Sequence, residues 1–566
     1  MQKDIMSVQG NKVPRIAWLD RMTTALAHLA GALNVLILTA MTCVVFVSVI
    51  ARYAFNSGLP WSEEFAIWGF TWLIFIGVAL GVRGNRHVSV ELVLDLMPPS
   101  ERRVMVYIRD CLFALAILAL TFSGYKLTNM VGGVSTSLFW PNALRYAVIP
   151  GAGLLALVFF VFAMLLGVTM TTWDGGLLPA PAIVQNMVAG SSKFILLAIP
   201  FFLTTGYLLN IGGLSTRLID FAASIFGHMR GGLAQVNVFN SVLIGGISGS
   251  SGADAASTTK VLVPQMVKRG YSTEFSCAVT AVSSILPNVL PPAIAMLVYA
   301  SVANVSIAKL FVGGIVPGLL IAAVLMTINA IIARRRGYEE GTTRAPCSTV
   351  WRTLVRALPA LAIAVVVLGC IRLGITTATE AGVIALVWAL VLGKFIFREC
   401  TWKELYISLK DCSVDSALIG FLIAASVPFA WILIAEGLPQ EMISNARSFN
   451  FGPVGMTLVL VTALFVAGMF LDLTPAILIA APLFLPLMLN ANFDPVQVGI
   501  IMIINLQLGG VTPPVGILVF ITAQISRIAP QAVFREVIPF VLAVVFVLAL
   551  VCVFPILSLG LWSLIG

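Results

Sequence analysis

Charge is scarce in this chain. Only 10% of its 566 residues are Asp, Glu, Lys or Arg, against roughly a quarter in soluble domains, which excludes a solvated globular domain as its bulk. Histidine is rarer still: His28, His87 and His228 are the full set. The eight cysteines stand singly with no CxxC or other metal spacing, so they read as small hydrophobes. No HExxH, no GxxxxGK[ST] phosphate loop and no ATP-binding segment occurs, so the chain is not an ATP-driven pump by itself. No cofactor is called for. What is present is apolar. Hydrophobic residues make up 60% of the chain, the mean hydropathy is +1.03, and many stretches reach the roughly 20 apolar residues of a spanning helix. The composition predicts an all-α polytopic membrane protein whose first partner is the lipid bilayer. The net charge of +9 fits Lys and Arg in cytoplasmic loops better than a nucleic-acid partner.

Lys3, Lys12, Arg15 and Arg21 precede an apolar stretch over about 25–50 that is too long for a signal-peptide core. It reads as a spanning helix with its N-terminus in the cytoplasm. Further helices are expected at about 64–83, 104–130 and 145–170, with Arg83, Arg86, Arg102 and Arg103 placing one loop in the cytoplasm. Between the first two lies RYAFNSGLPWSEEFAIW, an interfacial turn carrying Glu63 and Glu64. The segment 172–193 is rich in Gly and Pro and forms a natural boundary. The chain thus divides into 1–171, a linker over 172–193, and 194–566.

The last part repeats itself. Pro264, Pro291, Pro292 and Pro317 recur 222 residues later as Pro486, Pro513, Pro514 and Pro539, and Gly246 and Met266 recur as Gly468 and Met488. The repeats cover 195–333 and 417–562, joined by helices near 353–373 and 380–397. Each is read as a helix, an amphipathic segment, a small-residue segment, a helix broken at a double proline and a closing helix. Proline removes a backbone donor, so in hydrocarbon it needs neighbours or a wet cavity. Lys268-Arg269, Arg334-Arg335-Arg336, Arg398 and Lys403 then orient the repeats in opposite senses. A pair of inverted repeats with broken helices points to a transporter whose site lies near the membrane midplane.

The segment GGISGSSGADAASTTKVLVP (245–264) is too rich in Gly, Ser and Ala for a lipid-facing helix. Read as a re-entrant hairpin, its tip brings Ser248, Gly249, Ser250, Ser251 and Asp254 to mid-membrane. Helix N-termini there attract anions, and unwound carbonyls and hydroxyls coordinate small cations. Close packing of small residues is the competing reading, but a charge at that depth costs about 2.5–3.5 kcal/mol on insertion scales. The matching GMFLDLTPAILIAAPLFLP (468–486) supplies Asp472 and Thr474. The broken helices SSILPNVLPP and NLQLGGVTPP supply Asn288, Pro291 and Pro292, and Asn505, Thr512, Pro513 and Pro514. Two tips facing two breaks across a pseudo-twofold axis predict paired ion sites. Gly246-Ile247-Ser248-Gly249 also fits a short serine-nucleophile pattern, but an intramembrane protease needs a base within reach of Ser248, and the three histidines fall elsewhere. A passive channel would need rings of carbonyls or charges of matching symmetry.

The strings RYAFNSGLPWSEEFAIW, GNRHVSVELVLDLMP, LLAIPFFLTTGYLLNIGGLS, GGISGSSGADAAS and NLQLGGVTPPVGILVF resemble the membrane component of tripartite ATP-independent periplasmic (TRAP) transporters, with small and large subunits fused. Ala378 in TTATEA stands where that family usually has proline. The resemblance implies a four-helix small-subunit part followed by an ion-transporter-like inverted repeat with two re-entrant hairpins and two broken helices. It implies a secondary transporter of the bacterial inner membrane that takes a small organic acid from a periplasmic substrate-binding protein. A cation gradient, usually Na+, would drive it while the hairpins move as an elevator against a scaffold. Ser248, Ser250, Ser251 and Asp254 would then match one ion and substrate cradle; Asp472, Thr474, Thr512 and the double prolines would match the other. In that family further helices lie between the small-subunit part and LLAIPFF, whereas here 145–170 leads almost directly into 195, so either 172–193 crosses in an unusual form or scaffold helices are missing.

Overall fold

Helix stops in this chain are written in glycine, proline and capping residues. The computed structural model describes residues 17–83, 180–338, 344–448 and 452–565, with a few isolated positions over 125–138. The expected helices over 104–130 and 145–170 lie outside the described residues. Near the N-terminus, α1 (Ala17–Phe55) and α2 (Pro60–Arg83) form a hairpin. The boundary segment contributes α3 (Ala180–Ser191); its 12 residues span only about 18 Å, short of the ~30 Å hydrocarbon core.

A single 3₁₀ turn (Phe194–Leu197) leads into α4 (Ala198–Ile211). The amphipathic α5 (Leu214–Phe226) follows, and α6 (Gly232–Ser248) then doubles back into α7 (Ser251–Lys268). The first broken helix is α8 (Thr273–Ser283), α9 (Leu286–Val289) and α10 (Ile294–Ala303), and α11 (Ile307–Arg336) closes the unit. The joining helices are α12 (Cys347–Arg372) and α13 (Ala378–Leu390), the latter extended by a π-helical segment to Ile396. The same order then recurs as α14 (Trp402–Ala435), α15 (Leu438–Ser448), the pair α16 (Pro453–Phe470) and α17 (Leu473–Asn490), the broken α18 (Pro495–Gly509) and α19 (Ile517–Ser526), and α20 (Pro530–Val553) with α21 (Ile556–Ile565). Among the described residues there is no strand. Among the described residues eight helices are long and apolar enough to cross a membrane, or nine if the bent pair over Thr273–Ala303 counts as one span.

Caps set several starts. Thr377 with Glu380 and Thr401 with Glu404 form capping boxes at α13 and α14, and Ser250, Ser272 and Ser306 cap α7, α8 and α11. The broken helices are the core: every residue of α8 from Phe275 to Ser283 and of α18 from Val496 to Gly509 is buried. Such apolar helices have no solvent face to show. Around them, α7 packs on α19 and α10 on α17, so the second limb of each hairpin touches the broken helix of the other unit. A second block gathers α1, α2, α4, α13 and α14. Leu29, Val365 and Leu542 lie exposed on α1, α12 and α20, as lipid contact requires.

Candidate functional site

The tip of the first hairpin is two residues long. Gly249 ends α6 with φ +59°, a conformation costly for any side chain, and a Cβ there would sit 2.6 Å from the Pro292 carbonyl oxygen. The backbone therefore touches the first helix break directly, and the Ile294 N–H donates to the Gly249 carbonyl at 3.3 Å. The second hairpin makes its approach through Gly468, where a Cβ would lie 2.5 Å from the Leu506 carbonyl oxygen. Both double-proline peptide bonds are cis. Pro291 and Pro292 are buried, whereas Pro513 and Pro514 are exposed.

Both hairpins and both breaks meet at one cavity of about 280 Å³. Gly249, Ser250, Ser251, Asn288, Asp472 and Thr474 line it, together with Gln507. At its centre the Ser251 hydroxyl accepts from Asn288 Nδ2 at 2.7 Å and from Gln507 Nε2 at 3.1 Å. Six of the residues singled out in the sequence thus share a single chamber. Gln507 was not among them. Its signal was available, since each of the three buried amides of α18, Gln497, Asn505 and Gln507, demands a partner.

Asp254 lies elsewhere. It is fully buried inside the hairpin, where Ser241 donates to Oδ2 at 2.7 Å and Thr258 to Oδ1 at 3.0 Å. Ser241 also reaches Ser283, which donates to Asn237, so the carboxylate anchors a network tying α6 and α7 to α8. Asn505 is buried against α16, its Nδ2 donating to the Val461 carbonyl at 2.7 Å. Its Oδ1 has no hydrogen-bond partner among the described residues. Thr512 closes the end of α18 by donating to the Leu508 carbonyl at 2.6 Å. Ser248 ends α6; its side chain lies outside the described residues.

The electrostatics of the chamber favour an anion. Four helices, α7, α10, α17 and α19, begin at its walls. Each N-terminus presents the positive end of a helix dipole, worth roughly half a charge. Asp472 alone opposes them among the lining residues. Among the described residues there is no cluster of three His, Cys, Asp or Glu side chains. A second, larger cavity of about 480 Å³ lies on the other side of the tip, between α7 and α4–α5, and Ser250 borders both.

Residues 142–557 match the family profile of the tripartite ATP-independent periplasmic transporter, DctM component. The chain belongs to the TRAP transporters. Residues 41–170 match the DctQ component of the same family, overlapping the first match over 142–170. Over 90% of its length the TRAP permease is 26% identical to the sialic acid TRAP transporter permease protein SiaT of Haemophilus influenzae, covering 95% of that protein. It is 27% identical to the isethionate TRAP transporter permease protein DctMQ of Oleidesulfovibrio alaskensis, over 95% of this chain and 94% of the relative. The C4-dicarboxylate TRAP transporter large permease protein DctM of Pseudomonas aeruginosa is 34% identical over 67% of this chain and 88% of its own. Among solved structures, the YdaH transporter of Alcanivorax borkumensis superposes with a TM-score of 0.50 at 14% identity, covering 78% of this chain and 98% of that one, a likeness of fold. The protein is therefore a multi-pass permease of the bacterial inner membrane, a transporter and not an enzyme, of a family that works with a periplasmic binding protein.

Proposed function

We propose that this TRAP permease imports a small organic acid by cation symport, with the 280 Å³ chamber as its substrate site. The observation that carries the reading is the convergence of four helix N-termini on a cavity where both hairpin tips touch both breaks. A carboxylate or sulfonate fits that field, and the names of the relatives cite sialic acid, isethionate and C4-dicarboxylates, all acids. Its negative charge would be held by the N-terminus of α7, and Thr474 and the Ser251 hydroxyl would orient it. The coupling cation, Na+ in this reading, would be held by oxygen rather than by clustered carboxylates. The carbonyl ends of α9 and α18, the Thr512 hydroxyl and the unpartnered Asn505 Oδ1 supply such oxygens.

The hairpins and broken helices would move together as an elevator past the block of α1, α2, α4, α13 and α14. Two inverted units account for the recurrence of elements, and the side bearing Lys268, Arg269 and Lys403 would face the cytoplasm. The test is uptake into proteoliposomes loaded with a sodium gradient and supplied with the cognate binding protein, using labelled sialic acid, isethionate and succinate as probes. Uptake should require sodium and fall at least about tenfold in Ser251→Ala and in Asp472→Asn, the loss expected when one site contact worth about 1.4 kcal/mol is removed. Undiminished uptake in both variants would remove the chamber from the pathway. Uptake indifferent to sodium would replace the symport reading with proton coupling or a channel.

A further inference from the structure

The larger cavity carries a feature that the substrate chamber does not use. Lys260 stands on α7, nine residues beyond Ser251 and so about 14 Å from the tip along the helix. It is exposed to the 480 Å³ cavity, and among the described residues it has no carboxylate partner. An ammonium with no carboxylate beside it is left to face water or an anion. The opposite wall is polar too: Asn210 of α4 and Thr216 of α5 face the same space, with Ser257 beside Lys260 on α7. Ser250 forms part of both cavities. One residue of the hairpin tip therefore separates the chamber from a roomy vestibule whose single lining cation lies beyond it.

We propose that this vestibule is a transit site for the organic anion, which passes Ser250 and is held by Lys260 before release. The proposal rests on the anion-transport reading above and extends it to the far side of the tip. The site takes a carboxylate or sulfonate, paired with the Lys260 ammonium and hydrogen-bonded by Asn210 and Thr216. Lys260 draws the anion down from the four helix N-termini, and its exposure keeps the hold weak enough to let go. The vestibule lies on the side of the tip that leads along α7 to Lys268 and Arg269.

The test reads local charge without knowing the substrate, so it can fail or succeed independently of uptake. Ser257→Cys is labelled with an anionic sulfonate-bearing thiosulfonate and with its trimethylammonium counterpart, and the rates are read at that peptide by mass spectrometry so that native cysteines do not count. The anionic reagent should be favoured, and the ratio of rates should drop about tenfold in Lys260→Gln and return in Lys260→Arg, as removal and restoration of one nearby unit charge require. Millimolar isethionate or succinate should slow labelling in the native background and not in Lys260→Gln. Asn210→Cys on the opposite wall repeats the measurement should the first variant fold poorly. A ratio unmoved by Lys260→Gln, or cysteines inert to both reagents, overturns the proposal. Loss of uptake in Ser251→Ala with an unchanged charge ratio would leave the chamber standing and sink the vestibule alone.

Discussion

Ser251 and Asp254 are three residues apart and do different work. Ser251 faces the chamber and satisfies two amides, whereas Asp254 is sealed among hydroxyls on α6 and α7. Replacing Asp254 by Ala strands the Ser241 and Thr258 hydroxyls in a buried network, at a cost of about 1–3 kcal/mol. The expected outcome is a lower melting temperature of the detergent-solubilised protein, with the sodium dependence of residual uptake unshifted. A changed sodium affinity at unchanged stability would return Asp254 to the ion site. The sequence makes Asp254 conspicuous because a carboxylate in an apolar segment is costly. Thr258, four residues on along α7, is a legible partner, but Ser241 is not, because it lies on the other limb of the hairpin and nothing local marks it. Gln507 is one of three amides on α18, beside Gln497 and Asn505, and only the fold shows its donor crossing between the two units.

Among elements, proline and glycine patterns translated into geometry most directly. The stops at Gly249, at Pro291-Pro292 and at Pro513-Pro514 all coincide with helix ends, because these residues act on their own backbone. The turn RYAFNSGLPWSEEFAIW was read as interfacial, and the structure adds a contact no local pattern shows. Arg52 at the end of α1 donates to Glu380 at 2.7 Å, and Glu380 is also the capping residue of α13. The Arg52 side chain is 42% exposed but that of Glu380 only 7%. Arg52→Ala leaves a mostly buried carboxylate with only its cap and the Tyr53 hydroxyl and should lower thermal stability by about 1–2 kcal/mol. Glu63→Ala removes a 3.6 Å pair between half-exposed groups and should cost under about 0.5 kcal/mol. Equal effects of the two variants would show that α1 is not held to α13 through Glu380.

The whole molecule is organised around exchange between its two units. The 222-residue offset made the recurrence of elements visible. It could not say that residues of both tips and both breaks would line one chamber, since that depends on α7 packing against α19 and α10 against α17. Long-range packing of this kind leaves no trace in a local window. If α1, α2, α4, α13 and α14 stay fixed while the hairpins move, a reducible bis-thiosulfonate cross-link between α4 and α7 across the vestibule should arrest uptake and a reductant should restore it. Asn210→Cys with Ser257→Cys, on opposite walls of that cavity, is a suitable pair, and full uptake in the cross-linked protein would exclude relative movement there.

One hydroxyl accepts a hydrogen bond from each unit. Asn288 belongs to the first break and Gln507 to the second, and Ser251 is where their donors end. The two amides are thereby coupled through a single oxygen atom. Removing either amide should perturb transport, yet removing both should cost less than the sum, with an interaction energy of about 1 kcal/mol in a double-mutant cycle. A permease built from two similar halves would thus respond to mutation as one indivisible site, and neither half could drift in sequence without the other bearing the strain.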